Sequence, residues 1–152
     1  MKLQASDGSF FELIIVSYQF PDLPHADYDS NWLLIKIDVR HPRGSWSTID
    51  PSLLTYEVES LAEWFEKVRK GEKVETDIDF VEPNLSFQLY SDLQGNYLRV
   101  YFELESRPSW ATSDAAGMRD LWIQFPLADL NLLDVAASLR HQLALYPQRT
   151  FQ

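Results

Sequence analysis

Residues 32–40 read Trp-Leu-Leu-Ile-Lys-Ile-Asp-Val-Arg, and this stretch decides the class of fold. Every second residue from Leu33 to Val39 is aliphatic, and the intervening residues are charged from Lys36 onward. This alternation is typical of a β-strand that buries one face. The other segments predicted as strands are Phe10–Phe20, a short one around Trp46, Ile78–Val81, Leu85–Tyr90, Leu98–Leu104, and one that contains Leu121, Ile123 and Phe125.

The clearest helix signal runs from about Tyr56 to Lys70. Acidic residues occupy its first turn and basic residues its last, which is the arrangement that the helix dipole favours. Thr55 is the predicted N-cap, and Gly71 the residue that ends the helix. Its apolar stripe, spaced by the 3.6-residue repeat, consists of Val58, Leu61, Ala62, Phe65 and Val68.

A second amphipathic helix is predicted near the C-terminus, where Pro147 stops it. Because short turns join most of the strands, the sheet is expected to be antiparallel. The sequence therefore predicts an α+β fold in one domain over residues 1–152: about six or seven mostly antiparallel strands, with both helices packed on one face. The buried side of the second helix is expected to hold Leu132, Val135, Ala136, Leu139, Leu143 and Tyr146.

The chain is acidic and has no cysteine: 13 Lys and Arg against 23 Asp and Glu give a net charge of −10. Residues 1–30 hold one basic and five acidic residues, and residues 51–82 hold four and nine. Such a field repels a phosphate backbone, which argues against direct nucleic-acid binding, and attracts a basic protein surface. The alternative explanation is that the acidic excess only keeps the protein soluble, as it does in many proteins.

No segment is predicted to cross or enter a membrane. The most apolar early stretch, Phe10–Phe20, contains Glu12 and has only about half of the ~20 residues that a spanning helix needs. It also lacks a small-residue cleavage signal. We therefore expect a cytoplasmic protein that contains no disulfides.

Catalytic signals are weak. His25, Asp27 and Asp29 offer possible metal ligands, but their spacing matches no known cage, and an exposed polar loop explains them equally well. Glu103 and Glu105 are predicted to share one strand face at a separation of roughly 6–7 Å, within the range of glycosidase carboxylates. Nothing else in the sequence supplies an oriented acid and base, so we expect no enzyme, cofactor or metal.

The remaining signal is a combination of acidic and aromatic residues beside a partly open sheet. Tryptophan is most often packed in or near a core, but it is also enriched at binding hot spots. We expect binding to a positively charged protein partner. The candidate contacts are Asp22, Asp27, Asp29, Trp46, Trp64, Glu82, Glu103, Glu105 and Trp110.

Several short runs carry a family resemblance along nearly the whole chain. They are Tyr18–Pro21, Asp29–Leu33, Trp46, Asp50–Thr55 with Glu57 and Trp64, Glu82–Phe87, Leu98–Val100 with Leu104 and Glu105, Trp110, and Tyr146–Arg149. In this order they resemble the WapI family of bacterial immunity proteins, the partners of polymorphic contact-dependent toxins. The resemblance implies a cytoplasmic inhibitor that neutralises a toxin domain, with an RNA-cleaving domain as the expected kind.

The charge analysis agrees with this implication independently, because an RNA-cleaving toxin needs a basic groove that an acidic inhibitor can occupy. Two other hypotheses stay open at the level of the sequence. One is a non-catalytic interaction domain of the same fold, since fold alone does not determine function. The other is an enzyme or small-ligand protein, whose pocket one sequence does not reveal.

Overall fold

The computed structural model describes residues 1–23, 27–111 and 119–150. All strand pairs in it are antiparallel, which confirms the α+β class. In chain order the elements are β1 (Lys2–Gln4), β2 (Phe10–Tyr18), β3 (Trp32–His41), β4 (Gly44–Leu54), α1 (Thr55–Arg69), β5 (Asp77–Ile78), β6 (Leu85–Asp92), β7 (Gly95–Phe102), β8 (Trp122–Pro126) and α2 (Leu132–Leu145).

The strands form two four-stranded sheets, in the orders β1-β2-β3-β4 and β5-β6-β7-β8. The described residues thus contain eight strands, where the sequence predicted six or seven. The additional strand is β1, whose three residues are too few to show a period of two. The strand around Trp46 is also much longer than predicted, because β4 has 11 residues.

The two sheets meet through phenyl rings. Phe11 of β2 lies 6.1 Å from Phe87 of β6 and 6.0 Å from Phe102 of β7, measured between ring centroids. Phe65 of α1 packs edge-on against Phe87 at 5.9 Å. One continuous apolar core therefore joins both sheets and both helices.

Helix α1 matches the predicted stripe and the predicted end. Gly71 follows the helix with φ +71°, a left-handed conformation that glycine adopts at low cost. The predicted N-cap is wrong by one residue. Leu54 is the N-cap, and Thr55 is the first helical residue, where its hydroxyl donates to Asn31 Oδ1 at 2.9 Å.

Helix α2 lies beside α1, and Arg140 pairs with Glu66 across the two helices. It also covers the part of β2 that β1 does not reach. Gln142 accepts a hydrogen bond from Ile15 N at 2.7 Å and donates to Leu13 O at 3.2 Å. The apolar side of α2 is buried at Leu132, Val135, Ala136 and Leu139, and half-buried at Leu143 and Tyr146.

Strands β6 and β7 form a hairpin with a two-residue turn, because Asp92 pairs with Gly95. Strand β7 ends at Phe102, two residues earlier than predicted. Leu104 has φ +49°, so the chain leaves the sheet and enters a 3-10 turn. The prediction that Glu103 and Glu105 share a strand face is therefore wrong.

Leu61→Ala should lower the free energy of unfolding by about 2–5 kcal/mol, because Leu61 is fully buried in the stripe of α1. Chemical denaturation measures this loss. The matched control is Leu133→Ala on the exposed side of α2, which should cost less than about 1 kcal/mol. Equal losses for the two variants would contradict the placement of α1 against the core.

Candidate partner-binding surface

Two carboxylates share one buried amide, and the charge of a third acts on one of them. Asn84 precedes β6 and is 1% exposed. Its Nδ2 donates to Asp50 Oδ2 at 2.9 Å and to Glu105 Oε2 at 3.3 Å. Glu82 lies two residues before Asn84 and contributes a third negative charge near Asp50. We call Asp50, Glu82 and Glu105 the acidic cluster.

The described residues provide no counter-charge to the acidic cluster. In the part of the chain that the structure describes, none of its three carboxylates forms an ion pair. Burial, followed by the negative charge of Glu105, raises the pKa of Asp50 above its usual value. The hydrogen bond from Asn84 opposes this rise, and the charge of Glu82 adds to it. A cation placed here would therefore be stabilised.

Glu57 in the first turn of α1 fixes the position of the loop that carries Glu82. Its buried carboxylate accepts a hydrogen bond from Leu54 N at 2.9 Å through Oε2. The other oxygen, Oε1, accepts from Val81 N at 2.7 Å. The loop before β6 is thus tied to the junction of β4 and α1.

Two tryptophans adjoin the acidic cluster. Trp46 of β4 donates its indole N–H to Ser106 O at 2.9 Å, one residue beyond Glu105. Trp110 packs edge-on against Trp46 at 5.7 Å and remains 42% exposed. It lies on Gly44, where any Cβ would approach the Trp110 ring to 3.2 Å. Aromatic and acidic groups therefore form one surface along β4.

Asp27 and Asp29 lie beside the start of α1. Asp27 caps a 3-10 turn by accepting a hydrogen bond from Asp29 N at 3.0 Å, and both carboxylates are exposed. Between them, the hydroxyl of Tyr28 is hydrogen-bonded to that of Tyr56 at 2.9 Å. Tyr56 directly precedes Glu57, which holds the loop of the acidic cluster. The turn that holds both aspartates therefore lies against the first turn of α1.

The remaining predicted contacts lie elsewhere. Trp64 is 7% exposed and donates its indole N–H to Glu75 O at 2.9 Å. Glu103 is also 7% exposed and accepts from Arg119 N at 3.0 Å. Asp22 is exposed in the turn after β2. Trp64 and Glu103 thus make interior contacts, and neither they nor Asp22 adjoin the acidic cluster.

The metal hypothesis involves His25, which lies outside the described residues. Among those that are described, no three His, Asp or Glu side chains converge in a way that would hold a metal ion. No described helix is long and apolar enough to cross a membrane.

Two residues of the site were not among the candidates from the sequence. Asp50 and Asn84 are 34 positions apart, and only the fold brings them together. A signal was nevertheless present, because both residues fall within runs that carry the family resemblance, Asp50–Thr55 and Glu82–Phe87.

Asp50→Asn should leave the free protein at least as stable as the wild type at pH 7. A carboxyl with a raised pKa in the folded state favours folding when protonated, so its ionisation lowers stability as pH rises from the ordinary value of 3.8 through the raised one. The advantage of the variant should therefore vanish as pH falls below about 4. Denaturation at several pH values measures the difference, with the exposed Asp79→Asn as control. A destabilised variant at neutral pH would contradict the account of the cluster.

Comparison with known proteins agrees with the resemblance seen in the sequence. The curated proteins that were searched include no significant match. The model of the Immunity protein WapI-like family matches residues 2–147, which is nearly the whole chain. The chain therefore belongs to the Immunity protein WapI-like family.

Proposed function

We propose that this protein acts in the cytoplasm as the immunity partner of a toxin domain, which it neutralises by binding and without catalysis. Membership of an immunity protein family supports this proposal, because an immunity protein has a protein toxin as its partner. The specific partner that we propose is a basic domain at the C-terminus of a toxin.

The observation that carries the proposal of a basic partner is the acidic cluster, which forms no ion pair among the described residues. Asp50 and Glu105 share the amide of Asn84, and the charges of Glu105 and Glu82 help to raise the pKa of Asp50. A Lys or Arg of a partner would relieve this repulsion and gain charge-assisted hydrogen bonds. The net charge of −10 would also steer a basic domain towards the protein before contact.

The proposed contact surface comprises the acidic cluster together with Trp46, Trp110, Asp27 and Asp29. Tryptophans partly buried within an interface commonly act as hot spots, whereas charges at the rim mainly set the association rate. Trp110 offers the larger exposed area, while Trp46 supports it from beneath. The surface thus combines an aromatic contact, at Trp110, with a negative electrostatic potential from its carboxylates.

An RNA-cleaving toxin domain fits this surface chemically. Such a domain binds the phosphate backbone with a basic groove. A set of closely spaced carboxylates can occupy that groove in place of phosphates and exclude the RNA. This mode of inhibition needs no chemical step by the immunity protein.

We expect the partner to be a toxin domain encoded beside this gene. The double variant Glu82→Lys with Glu105→Lys should slow association with that domain by about tenfold or more at low salt. Its association rate should also depend less on salt. Binding kinetics at two salt concentrations measure both effects, after each variant is shown to be folded. The control, Glu72→Lys with Glu75→Lys, reverses two exposed charges beyond the far end of α1. Equal slowing by both variants would contradict a role specific to the cluster.

Trp110→Ala should instead raise the dissociation rate of the complex. The loss of a central aromatic anchor speeds dissociation and costs about 2 kcal/mol or more of binding free energy. The control is Trp122→Ala, because Trp122 is similarly exposed but belongs to β8 in the other sheet. A dissociation rate that responds to Trp122 and not to Trp110 would move the interface to that sheet.

A further inference from the structure

Strand β4 has a sheet neighbour on one side only. It is the last strand in the order β1-β2-β3-β4, and it runs for 11 residues. In the part of the chain that the structure describes, the main chain of residues 44–53 is hydrogen-bonded only to β3. Among the described residues, the opposite edge of β4 therefore has no strand partner for its main-chain donors and acceptors.

The register of β3 and β4 identifies these donors and acceptors. His41 pairs with Gly44 across a two-residue turn, and such a closing pair exchanges main-chain hydrogen bonds. Bonded and non-bonded pairs then alternate along the ladder, so the N–H and C=O groups of Ser45, Ser47 and Ile49 point away from β3. All three side chains are exposed, Ile49 at 56%.

Edge strands are commonly guarded against strand pairing by charged side chains, prolines, bulges, short length or a covering segment. The turn Leu104–Ser106 and the ring of Trp110 lie against β4, but the other protections are missing from the first half of the strand. Residues 44–49 read Gly-Ser-Trp-Ser-Thr-Ile, with no charge and no proline. Pro51 and a bulge in the register follow only after Asp50. The other edge strands are shorter: β1 has three residues, β5 two and β8 five.

We propose that this edge accepts an extended, Lys- or Arg-bearing segment of the partner as a fifth strand of the sheet. The inference rests on the proposed function, and it specifies how the partner is held. The basic charge of the partner segment is inferred from the acidic cluster, which flanks the edge at Asp50 and has no ion pair among the described residues. Main-chain pairing supplies affinity in this mode of recognition, and side-chain contacts supply specificity.

The spacing along β4 also defines a pattern for the added strand. Trp46 and Asp50 point to the same side of the sheet, about 13 Å apart at the rise of a strand. A segment paired with this edge would therefore place an apolar side chain beside Trp46 and Trp110. Four residues along, it would place a basic side chain beside Asp50 and Glu105.

Amide hydrogen exchange tests this proposal residue by residue. The ¹⁵N-labelled protein is compared free and in complex with the unlabelled toxin domain encoded beside its gene. In the complex, exchange at Ser45, Ser47 and Ile49 should slow by about tenfold or more. Exchange at Trp46 and Thr48, whose N–H groups already bond to β3, should change less. A complex that forms without protection at the three outward amides would overturn the fifth strand and leave the proposed function intact.

A proline variant provides a second readout. Ser47→Pro removes one outward N–H without removing a bond to β3, and should weaken binding about fivefold or more. Ser47→Ala removes only the hydroxyl and should bind within about twofold of the wild type. Equal affinity of a folded Ser47→Pro variant would overturn the strand pairing. Failure of the wild-type protein to bind the toxin domain would overturn the proposed function, and the fifth strand with it.

Discussion

The candidate surface depends on the buried carboxylate of Glu57. One side chain joins the end of β4, the start of α1 and the loop before β6, by accepting hydrogen bonds from Leu54 N and Val81 N. Bonds from main-chain donors to an ionised carboxylate are short and strong, and their loss leaves buried donors unpaired. The placement of Glu82 beside Asp50 is therefore built into the fold.

The acidic cluster differs from the ion-paired acids of the protein in the group that holds its carboxylates. Arg140 neutralises Glu66, and Arg107 lies 4.0 Å from Glu103. In the cluster, a neutral amide from Asn84 brings two carboxylates together and leaves their charges intact. A site that retains repulsion in the free protein gains most from a cationic partner, and surfaces shaped for binding often sacrifice stability in this way.

Strongly periodic elements could be predicted from the sequence, and elements defined by non-local contacts could not. The stripe of α1 and the alternation in β3 report local geometry, so both were correct. The division into two sheets depends on Phe11 packing against rings more than 70 positions away, which no local pattern reveals. Strand β4 was underestimated because its first half has serine and threonine where most strands have aliphatic residues.

The candidate site was predictable to a similar extent. Residue type and charge were enough to select Trp46, Glu82, Glu105 and Trp110, which the fold brings to one surface. The same criteria selected Trp64 and Glu103, whose burial depends on partners distant in sequence or on the course of a turn. These criteria did not select Asp50 or Asn84, because only the fold brings Asn84 into contact with Asp50 and Glu105.

Protection of growing cells tests the central claim most directly. Cells that produce the toxin domain proposed as the partner would receive one of three proteins. These are the wild type, a variant with Asp50, Glu82 and Glu105 all changed to lysine, and a control with three exposed acids outside the proposed contact surface changed to lysine. The control substitutions are Glu63→Lys, Glu72→Lys and Glu75→Lys. The account predicts growth with the wild type and the control, and arrest with the cluster variant at equal protein levels. Full protection by the cluster variant would contradict it.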